Sequence, residues 1–430
     1  MRRRDSRMFL DAAALIEQDD TGDAKEPRLA GSLGGNAVAV WLQWDGDRHN
    51  VWANIYDVGA GWRAAQAIED RSGEAEAPHV AMSPAGGTAI AAWSQPDDGT
   101  LFRVWAKRYQ MGWGSEGAIL DLDNGWHARA PQVAISESGA AKVLWYEQCR
   151  IQKRIRANRF IPNEEPLLER WAGAERIETD TDNAENPVLV GHQGGGAMAA
   201  WREADGFGKV NAWASRYDTV LQWQTAEPFG QADAFFIADL RLAVDASRNV
   251  MAVWHHVDLV DDGVWANRYV ADGSGWGEPE PLEADTGVPS MPEVAMEPAG
   301  NAVAVWVQGD GTTQNNMAKR YEYAGGWQAA EAIDQGDGDA SRPHVAMDPT
   351  GNAMAVWQQS DRFQSNIWSR HYGAGTRRWG EAELVETRDG DASAPRVSMD
   401  AEGNAIAVRY QWDETLSHND IWANRWAPAQ

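Results

Sequence analysis

The heptapeptide GNAVAVW occurs twice in this chain, at Gly35–Trp41 and again at Gly300–Trp306. Variants of the motif recur along all 430 residues, and its final position falls at residues 41, 93, 145, 201, 254, 306, 357 and 409. The spacing between copies therefore stays between 51 and 56 residues. A period of this kind indicates one continuous array of structural repeats, not a set of unrelated domains.

Each repeat contains four short segments with the character of β-strands. The first reads P-x-V-A-M, as in Pro78–Met82, and a turn joins it to the GNAVAVW-type segment. The third reads I/V-W-A-N-R-Y, as in Val264–Tyr269, and the fourth reads W-x-x-A-x-x-I-E, as in Trp62–Glu69. β-Branched and aromatic residues alternate, turn residues separate the segments, and no helical period is sustained. Four antiparallel strands in each unit of about 50 residues predict an all-β protein with the fold of a β-propeller.

Eight repeats can be counted, and together they predict a single eight-bladed domain over residues 1–430. They start near residues 27, 78, 131, 187, 240, 292, 343 and 395. The last repeat ends after its third strand, Ile421–Trp426, and the N-terminal segment Phe9–Glu17 matches the missing fourth strand. We expect these two segments to pair and close the ring, because closure removes open sheet edges. A seven-bladed ring would require that repeat 131–186 or repeat 187–239, the two most degenerate, is misassigned.

The tryptophan residues of this chain are mostly structural, and its single cysteine limits the chemistry that is possible. Of 24 Trp residues, twenty occupy three fixed repeat positions: the end of the second strand and the starts of the third and fourth. This regular placement predicts that the indoles pack between blades. The single cysteine, Cys149, excludes internal disulfides and multi-cysteine metal sites.

The net charge of −26, from 64 acidic and 38 basic residues, limits the partners of this protein. Such a surface repels phosphate backbones and anionic membranes, so no nucleic-acid partner is expected. No segment has the ~20 apolar residues of a membrane span. The basic, apolar N-terminus imitates a signal peptide, but Asp11 interrupts the apolar run. We expect an extracytoplasmic or cell-surface location, although no export signal is visible in the chain.

The repeat unit P-x-V-A-x-D-x-x-G-N-A-x-A-V-W resembles that of a broad class of bacterial repeat-type β-propellers, which implies the fold but no particular activity. Met347–Trp357 is similar to the Asp box of sialidases, with a different spacing and without its Ser and Thr positions. Ala346–Trp357 is similar to the repeat of quinoprotein dehydrogenases, with Gly and Trp out of register by one. The vicinal cysteines common in that family cannot exist here, so neither enzyme family is favoured.

A ring of polar side chains is expected where the first strands enter the central channel. The ring, called the collar below, is formed by the residue after each first-strand proline position: Arg28, His79, Gln132, Val188, Arg241, Glu293, His344 and Arg396. Three Arg and two His that converge predict a pocket for an anion or a polar ligand. The alternative is that the Arg residues pair with acids just upstream: Asp23, Glu74, Asp339 and Asp391.

Three further Trp residues fall in connecting loops and are candidates for ligand contact: Trp44, Trp126 and Trp412. Trp44 and Trp412 occupy the same repeat position in blades that are neighbours once the ring closes. Each precedes an acid, Asp45 or Asp413, and an exposed indole beside a carboxylate suits sugar recognition. The alternative is that these indoles fold back over the edges of their blades.

The remaining motifs are weak. Acidic turns such as Asp121–Gly125, Asp180–Asn183 and Asp334–Asp339 resemble the start of a calcium loop but lack its later Glu, so calcium stays an alternative and no other cofactor is expected. His255 and His256 point to opposite faces of a strand. No catalytic residues are assigned. The sequence favours a non-catalytic propeller that binds a protein or glycan, over an enzyme with an anionic substrate at the channel mouth or a structural subunit of an assembly.

Overall fold

The computed structural model is all-β, and none of the residues that it describes is helical. No helix long and apolar enough to cross a membrane occurs in this part of the chain. The described residues are 13–17, 22–69, 71–97, 100–122, 124–162, 170–178, 183–204, 208–231, 234–258, 262–283, 287–309, 311–335, 338–361, 363–386 and 389–428.

Eight antiparallel sheets form eight blades, each with strands A to D from the innermost strand to the outermost. Strands A of blades 1 to 8 are Ala24–Gly31, Glu76–Met82, His127–Ile135, Ala184–Gly191, Phe236–Val244, Pro289–Met296, Ala340–Met347 and Ala392–Met399. Strands B are Ala37–Trp44, Thr88–Pro96, Ala141–Cys149, Ala197–Ala204, Val250–Val257, Ala302–Gly309, Ala353–Ser360 and Ala405–Asp413. The repeats that a seven-bladed ring would discard form blades 3 and 4, so the prediction of eight blades is confirmed.

Strands C are about as long as strands A and B, and only strand D is short in most blades. Strands C are His49–Asp57, Phe102–Gln110, Gln152–Ile161, Val210–Asp218, Gly263–Val270, Gln314–Glu322, Ser365–Gly373 and His418–Trp426. Strand D is split into two short pieces in five blades: Gly61–Trp62 with Gln66–Ala67, Arg170–Trp171 with Glu175–Arg176, Gln222–Trp223 with Glu227–Pro228, Gly275–Trp276 with Glu280–Pro281, and Gly326–Trp327 with Glu331–Ala332. In the other three it is Ala118–Ile119, Arg378–Leu384 and Ala14–Leu15.

The N-terminal strand closes the ring, as predicted. Ala14 pairs with Ala423 and Leu15 with Trp422, so the first described residues supply strand D of blade 8. The backbone N–H of Ile16 then donates to the carbonyl of Ile421 over 3.0 Å. Residues 9–12 of the predicted strand lie outside the described residues. The A strands contact one another in sequence around the ring, and the contact between strands A of blades 8 and 1 completes it.

A buried tryptophan on strand B holds each blade against the preceding one in seven of the eight blades. Trp41, for example, is fully buried in a cluster with Ile406, Val408 and Ile421 of blade 8. Burying a side chain of this size stabilises each interface by about 3–5 kcal/mol relative to Ala. In blade 8 Arg409 takes the position, and its guanidinium donates to Gln411 over 3.0 Å.

The tryptophans at the start of strand D each contact an aromatic residue of their own blade. Each meets the aromatic ring of a strand C residue edge to face, with ring centroids 5.5 Å apart in the Tyr56–Trp62 pair. The same contact recurs in the Phe160–Trp171 and Tyr372–Trp379 pairs. Edge-to-face geometry is the arrangement that the aromatic quadrupole favours, and it holds the short strand D in place. These edge-to-face contacts are intrablade. The same indoles also pack against clusters that span two blades, and Trp276 stacks on Phe229 of the preceding blade with ring centroids 4.1 Å apart.

We expect Ile16→Ala to destabilise the protein by about 2–5 kcal/mol, because Ile16 is 1% exposed in the cluster between blades 8 and 1. The matched control is Leu15→Ala, because Leu15 is its chain neighbour and is 41% exposed. Urea denaturation followed by Trp fluorescence measures both variants. Equal stability losses would contradict a closing role for this segment.

Candidate functional site

A β-bulge in every strand A shapes the channel mouth. The register shifts just before each collar residue, for example between Lys25 and Arg28 and between Ser393 and Arg396. At every bulge a non-glycine residue adopts a φ between 48° and 54°: Glu26, Ala77, Ala130, Asn186, Asp239, Met291, Arg342 and Ala394. This conformation is unfavourable for side chains with a Cβ, and it recurs eight times because the closed ring enforces it. A bulge changes the direction in which nearby side chains point, and here it orients the collar residue.

The charged collar residues from different blades influence one another across the channel. Arg241 of blade 5 donates from Nε to Oε1 of Glu293 in blade 6 over 2.8 Å. This pair raises the pKa of Arg241. Burial alone would raise the pKa of Glu293, but Arg241 and Arg396 outweigh burial, and the pKa is lowered. The structure therefore brings these predicted residues into one electrostatic unit.

Arg28 and Arg396 lie on the neighbouring blades 1 and 8. Among the described residues neither side chain forms a hydrogen bond or an ion pair. Burial within the ring of inner strands lowers the pKa of Arg396 to about 10, and the charge of Arg28 contributes to this shift. The pKa of Arg28 is lowered by burial and by Arg241, against the attraction of Glu26 and Glu293. Collar guanidinium groups thus lower the pKa values of both Arg28 and Arg396, which indicates positive potential at this side of the mouth.

The upstream acids proposed as partners of these Arg residues are bound elsewhere. Each caps the N–H at the start of a strand C on the preceding blade: Asp23 accepts from Asn419, Glu74 from His49, Asp339 from Gln314 and Asp391 from Ser365. These N–H groups have no strand partner, because strand D is short and leaves the start of strand C unpaired. The alternative in which these acids neutralise the collar is therefore wrong.

The two collar histidines are neutral hydrogen-bond acceptors. Nδ1 of His79 accepts the N–H of Val133 on the next strand A over 3.2 Å, and Nδ1 of His344 accepts the N–H of Val397 over 3.3 Å. An imidazole that accepts at Nδ1 cannot carry a proton there. Burial, reinforced by the collar Arg residues, lowers the pKa of His79 to about 3 and that of His344 to about 4.

The remaining collar positions carry no charge. The side-chain amide of Gln132 donates to the carbonyl of its neighbour Pro131 over 3.1 Å. Val188 packs against the cluster between blades 4 and 5. The collar is therefore uneven: its charged groups come from blades 1, 5, 6 and 8, and the side at blades 3 and 4 is uncharged.

Trp44 and Trp412 lie on the loop face, the end of the ring that carries the D–A linkers and B–C loops, but in different surroundings. Trp412 is 38% exposed. Trp44 is half-buried: its ring meets that of His49 at a centroid distance of 5.0 Å. It also lies so close to Gly22 that a Cβ there would be 2.6 Å from its Cδ1. No ring contact joins the two indoles. Trp44 thus has a packing role, in keeping with the alternative that the indole folds back over its blade.

The acids that follow these indoles are turn residues. Oδ1 of Asp45 accepts the N–H groups of Asp47 and Arg48, and Oδ1 of Asp413 accepts those of Thr415 and Leu416. Asp361 makes the same contacts in blade 7, where no Trp precedes it. Asp side chains are common in such turns because they satisfy the turn backbone. Because Asp45 and Asp413 bind the turn backbone, the predicted combination of an indole with a sugar-binding carboxylate is not supported.

Trp126 lies apart from the other two, on blade 3. The guanidinium carbon of Arg154 lies over its ring, 4.4 Å from the centroid, in a cation–π contact. The acidic turns considered for calcium are only partly described: residues 123, 179–182, 336 and 337 lie outside the described residues. Asp121 accepts the N–H of Val104 and binds Arg103, so it caps strand C. In the described part of the chain no three His, Cys, Asp or Glu side chains could hold a metal ion together.

Sequence reasoning missed an open cavity of about 480 Å³ at the tip of blade 3. His127, Arg129, Tyr146, Gln148 and Arg150 line it. The signal was present in the sequence. Residues 126–159 hold seven Lys and Arg against two Glu, within a chain whose net charge is −26. This local excess of positive charge does not recur in the other blades, so the repeat pattern does not reveal it.

Comparison with known proteins shows the fold alone. No protein-family model matches the chain, and no curated sequence matches it. A puromycin hydrolase variant is similar in structure, with a TM-score of 0.52 and 12% identity over 93% of this chain and 61% of that one. Prolyl endopeptidases are similar with a TM-score of 0.50 and 9% identity, over 93% of this chain and 55% of theirs. A protein of unknown function from Dyadobacter fermentans matches 72% of this chain and 97% of its own at 14% identity, with a TM-score of 0.45.

We expect Trp44→Ala to lower the free energy of unfolding by about 1–3 kcal/mol and Trp412→Ala to lower it by less than about 1 kcal/mol. The difference arises because only the indole of Trp44 packs against Gly22 and His49. The two positions are equivalent in the repeat, so each variant is the control for the other. Chemical denaturation measures both, and a larger loss for Trp412→Ala would contradict this assignment.

A pH dependence follows from the collar histidines. Their pKa values in the folded state, about 3 and about 4, lie below the unfolded value of about 6.5. Their contribution to stability is therefore fully present above pH 6.5. It is lost as pH falls towards 4, by at most about 1.4 kcal/mol per pH unit for each histidine. Burial raises the pKa values of Glu178, Glu283 and Glu386 to about 7, which acts in the opposite direction.

The difference in stability between wild type and a His79→Gln/His344→Gln variant reports the contribution of the histidines alone, because these glutamates are present in both proteins. Gln keeps an acceptor for Val133 and Val397 but does not titrate. We expect the variant to lose less stability than wild type between pH 6.5 and 4, as measured by urea denaturation at each pH. Parallel profiles would show that the two rings are not neutral in the folded state.

Proposed function

We propose that this protein is a non-catalytic propeller that recognises a glycan or protein partner on its loop face, and that a negatively charged group of this partner enters the channel mouth. The observation that carries the proposal is the guanidinium pair of Arg28 and Arg396. Both groups are enclosed by the inner strands, and neither has a counter-ion among the described residues. A carboxylate or sulfate between them would supply charge-assisted hydrogen bonds that the protein itself does not provide.

The neighbouring groups support an anion over a cation or a neutral ligand. Glu293 is held by Arg241, and the acids Asp23 and Asp391, which precede Arg28 and Arg396 in the chain, are held by strand C backbone. The charge that remains at the mouth is therefore positive. Within an acidic protein, a small positive region favours one anionic group over a long polyanion.

Binding is favoured over catalysis because the collar offers weak acid and base groups. The Nδ1 atoms of His79 and His344 already accept backbone N–H groups, so their Nε2 atoms carry hydrogen and cannot take a proton. The lowered pKa of Glu293 makes it a poor general acid at neutral pH. A hydrolase or lyase at this mouth would need a proton-transfer group with a pKa nearer to 7.

The test is the double variant Arg28→Gln/Arg396→Gln. In low salt we expect it to melt at a higher temperature than wild type, because it removes two mutually repelling charges. We expect sulfate and galacturonate oligosaccharides to raise the melting temperature of wild type but not that of the variant, since a ligand stabilises only the form that binds it. A glycan array and an array of acidic peptides then distinguish the two kinds of partner.

The control is Arg248→Gln/Arg377→Gln, which removes the same charge from exposed positions on the opposite end of the ring, the turn face. We expect this control to respond to the anions as wild type does. Equal anion responses in both double variants would show that the guanidinium pair is not a binding site.

A further inference from the structure

The cavity at the tip of blade 3 differs in chemistry from the channel mouth and lies at another place on the loop face. Its five lining residues include two Arg and no Asp or Glu. Its volume of about 480 Å³ falls in the range of small-ligand sites, roughly 300–1,000 Å³. The cavity is open to solvent, so a ligand can reach it without a conformational change.

Arg129 is held in a fixed position at the cavity. Its guanidinium carbon lies 3.6 Å from the ring centroid of Phe102, and the group pairs with Glu76 of blade 2. Phe102 in turn donates its backbone N–H to Nδ1 of His127 over 3.3 Å. A guanidinium fixed by stacking and by one carboxylate still presents its other N–H groups, and less rotamer entropy is lost when it binds a ligand.

Arg150 supplies a positive charge at the edge of the cavity. It is exposed at the tip of the B–C hairpin, and its side chain forms no ion pair among the described residues. The side-chain amide of Gln148 donates to the carbonyl of Arg150 over 3.1 Å, which ties the tip to the cavity wall. Tyr146, on the same wall, is half-buried, and burial raises its pKa, so its hydroxyl stays protonated and can donate.

We propose that this cavity binds one acidic sugar unit, carboxylated or sulfated, and that the site is independent of the channel mouth. The two Arg side chains suit the anionic group. Gln148 and Tyr146 suit sugar hydroxyls, because the amide and the phenol both donate and accept hydrogen bonds. The aromatic rings at the site suit the apolar face of a sugar ring.

A single acidic unit fits better than a nucleic acid. Single-stranded nucleic acid binds along a groove that neutralises several phosphates in succession. Here the basic stretch, residues 126–159, is short. Its Lys153 already pairs with Glu185, which also binds Arg202 of blade 4. The surrounding surface belongs to a chain of net charge −26, which repels a long polyanion.

The test is isothermal titration of trigalacturonate, a heparin-derived disaccharide, a neutral trisaccharide and a ten-residue oligothymidylate. We expect the acidic saccharides to bind and the neutral saccharide and the oligonucleotide not to bind. Arg150→Gln should weaken binding at this site by about tenfold, as expected for the loss of one charge-assisted hydrogen bond. Arg150 is exposed, so the variant folds. Tyr146→Phe should weaken the same site while preserving the packing of the ring.

Two controls separate this site from the channel mouth. Arg248→Gln/Arg377→Gln should bind trigalacturonate as wild type does. Arg28→Gln/Arg396→Gln should keep this site, with a stoichiometry lower by one if both sites take the same sugar. Unchanged binding in Arg150→Gln, equal binding of the neutral trisaccharide, or binding of the oligonucleotide alone would each overturn the proposal.

Discussion

The structure depends on the burial of one large strand B side chain between each pair of neighbouring sheets. In five blades the residue two positions later accepts the hydrogen bond of the indole N–H, as Gln43 does from Trp41 over 3.0 Å. The same Gln43 donates to the carbonyl of Gly22 in the linker that enters the blade, over 2.8 Å. Equivalent bonds from Gln95, Gln359 and Gln411 tie the cores of three further interfaces to linkers on the loop face. Arg409 preserves this connection in blade 8, because its guanidinium donates to Gln411.

A second regular feature compensates for the short outer strands. Strand D leaves N–H groups of strand C without partners, and buried carboxylates accept them, as Glu386 does from Ile367 over 2.9 Å. Linker acids such as Asp391 cap the first residue of the same strand. Part of the acidic excess of this chain is therefore structural. The acids that serve the backbone are unavailable to the collar, and Arg28 and Arg396 form no ion pair among the described residues.

The functional face thus combines a regular scaffold with local departures from it. The bulges place eight side chains at the channel mouth, but only a few of those side chains carry charge. Blade 3 departs most strongly, because its B–C hairpin carries Arg150 at the tip and Lys153 and Arg154 just after it. Both candidate sites are positive regions in a negative protein. Long-range repulsion and short-range attraction together select small anionic groups.

The sequence by itself determined the all-β class, the four strands of each blade, the count of eight and the closure by the N-terminus. These properties depend on period and strand pattern, which residues near one another in the chain specify. The sequence also placed Arg28, Arg241 and Arg396 in one ring, because equivalent repeat positions become equivalent positions around an axis. Only the tertiary structure decided which groups meet across blade boundaries.

Asp23 could pair with Arg28, five residues away in the chain, but it accepts the N–H of Asn419 instead. Trp44 and Trp412 share a repeat position, but only the indole of Trp44 packs against a linker glycine. Hydrogen bonds and packing act over a few ångströms in three dimensions, so a one-dimensional pattern names the candidate groups but does not choose between their partners. The cavity of blade 3 likewise depends on how Arg129 and Arg150, twenty-one residues apart in the chain, are placed beside one another.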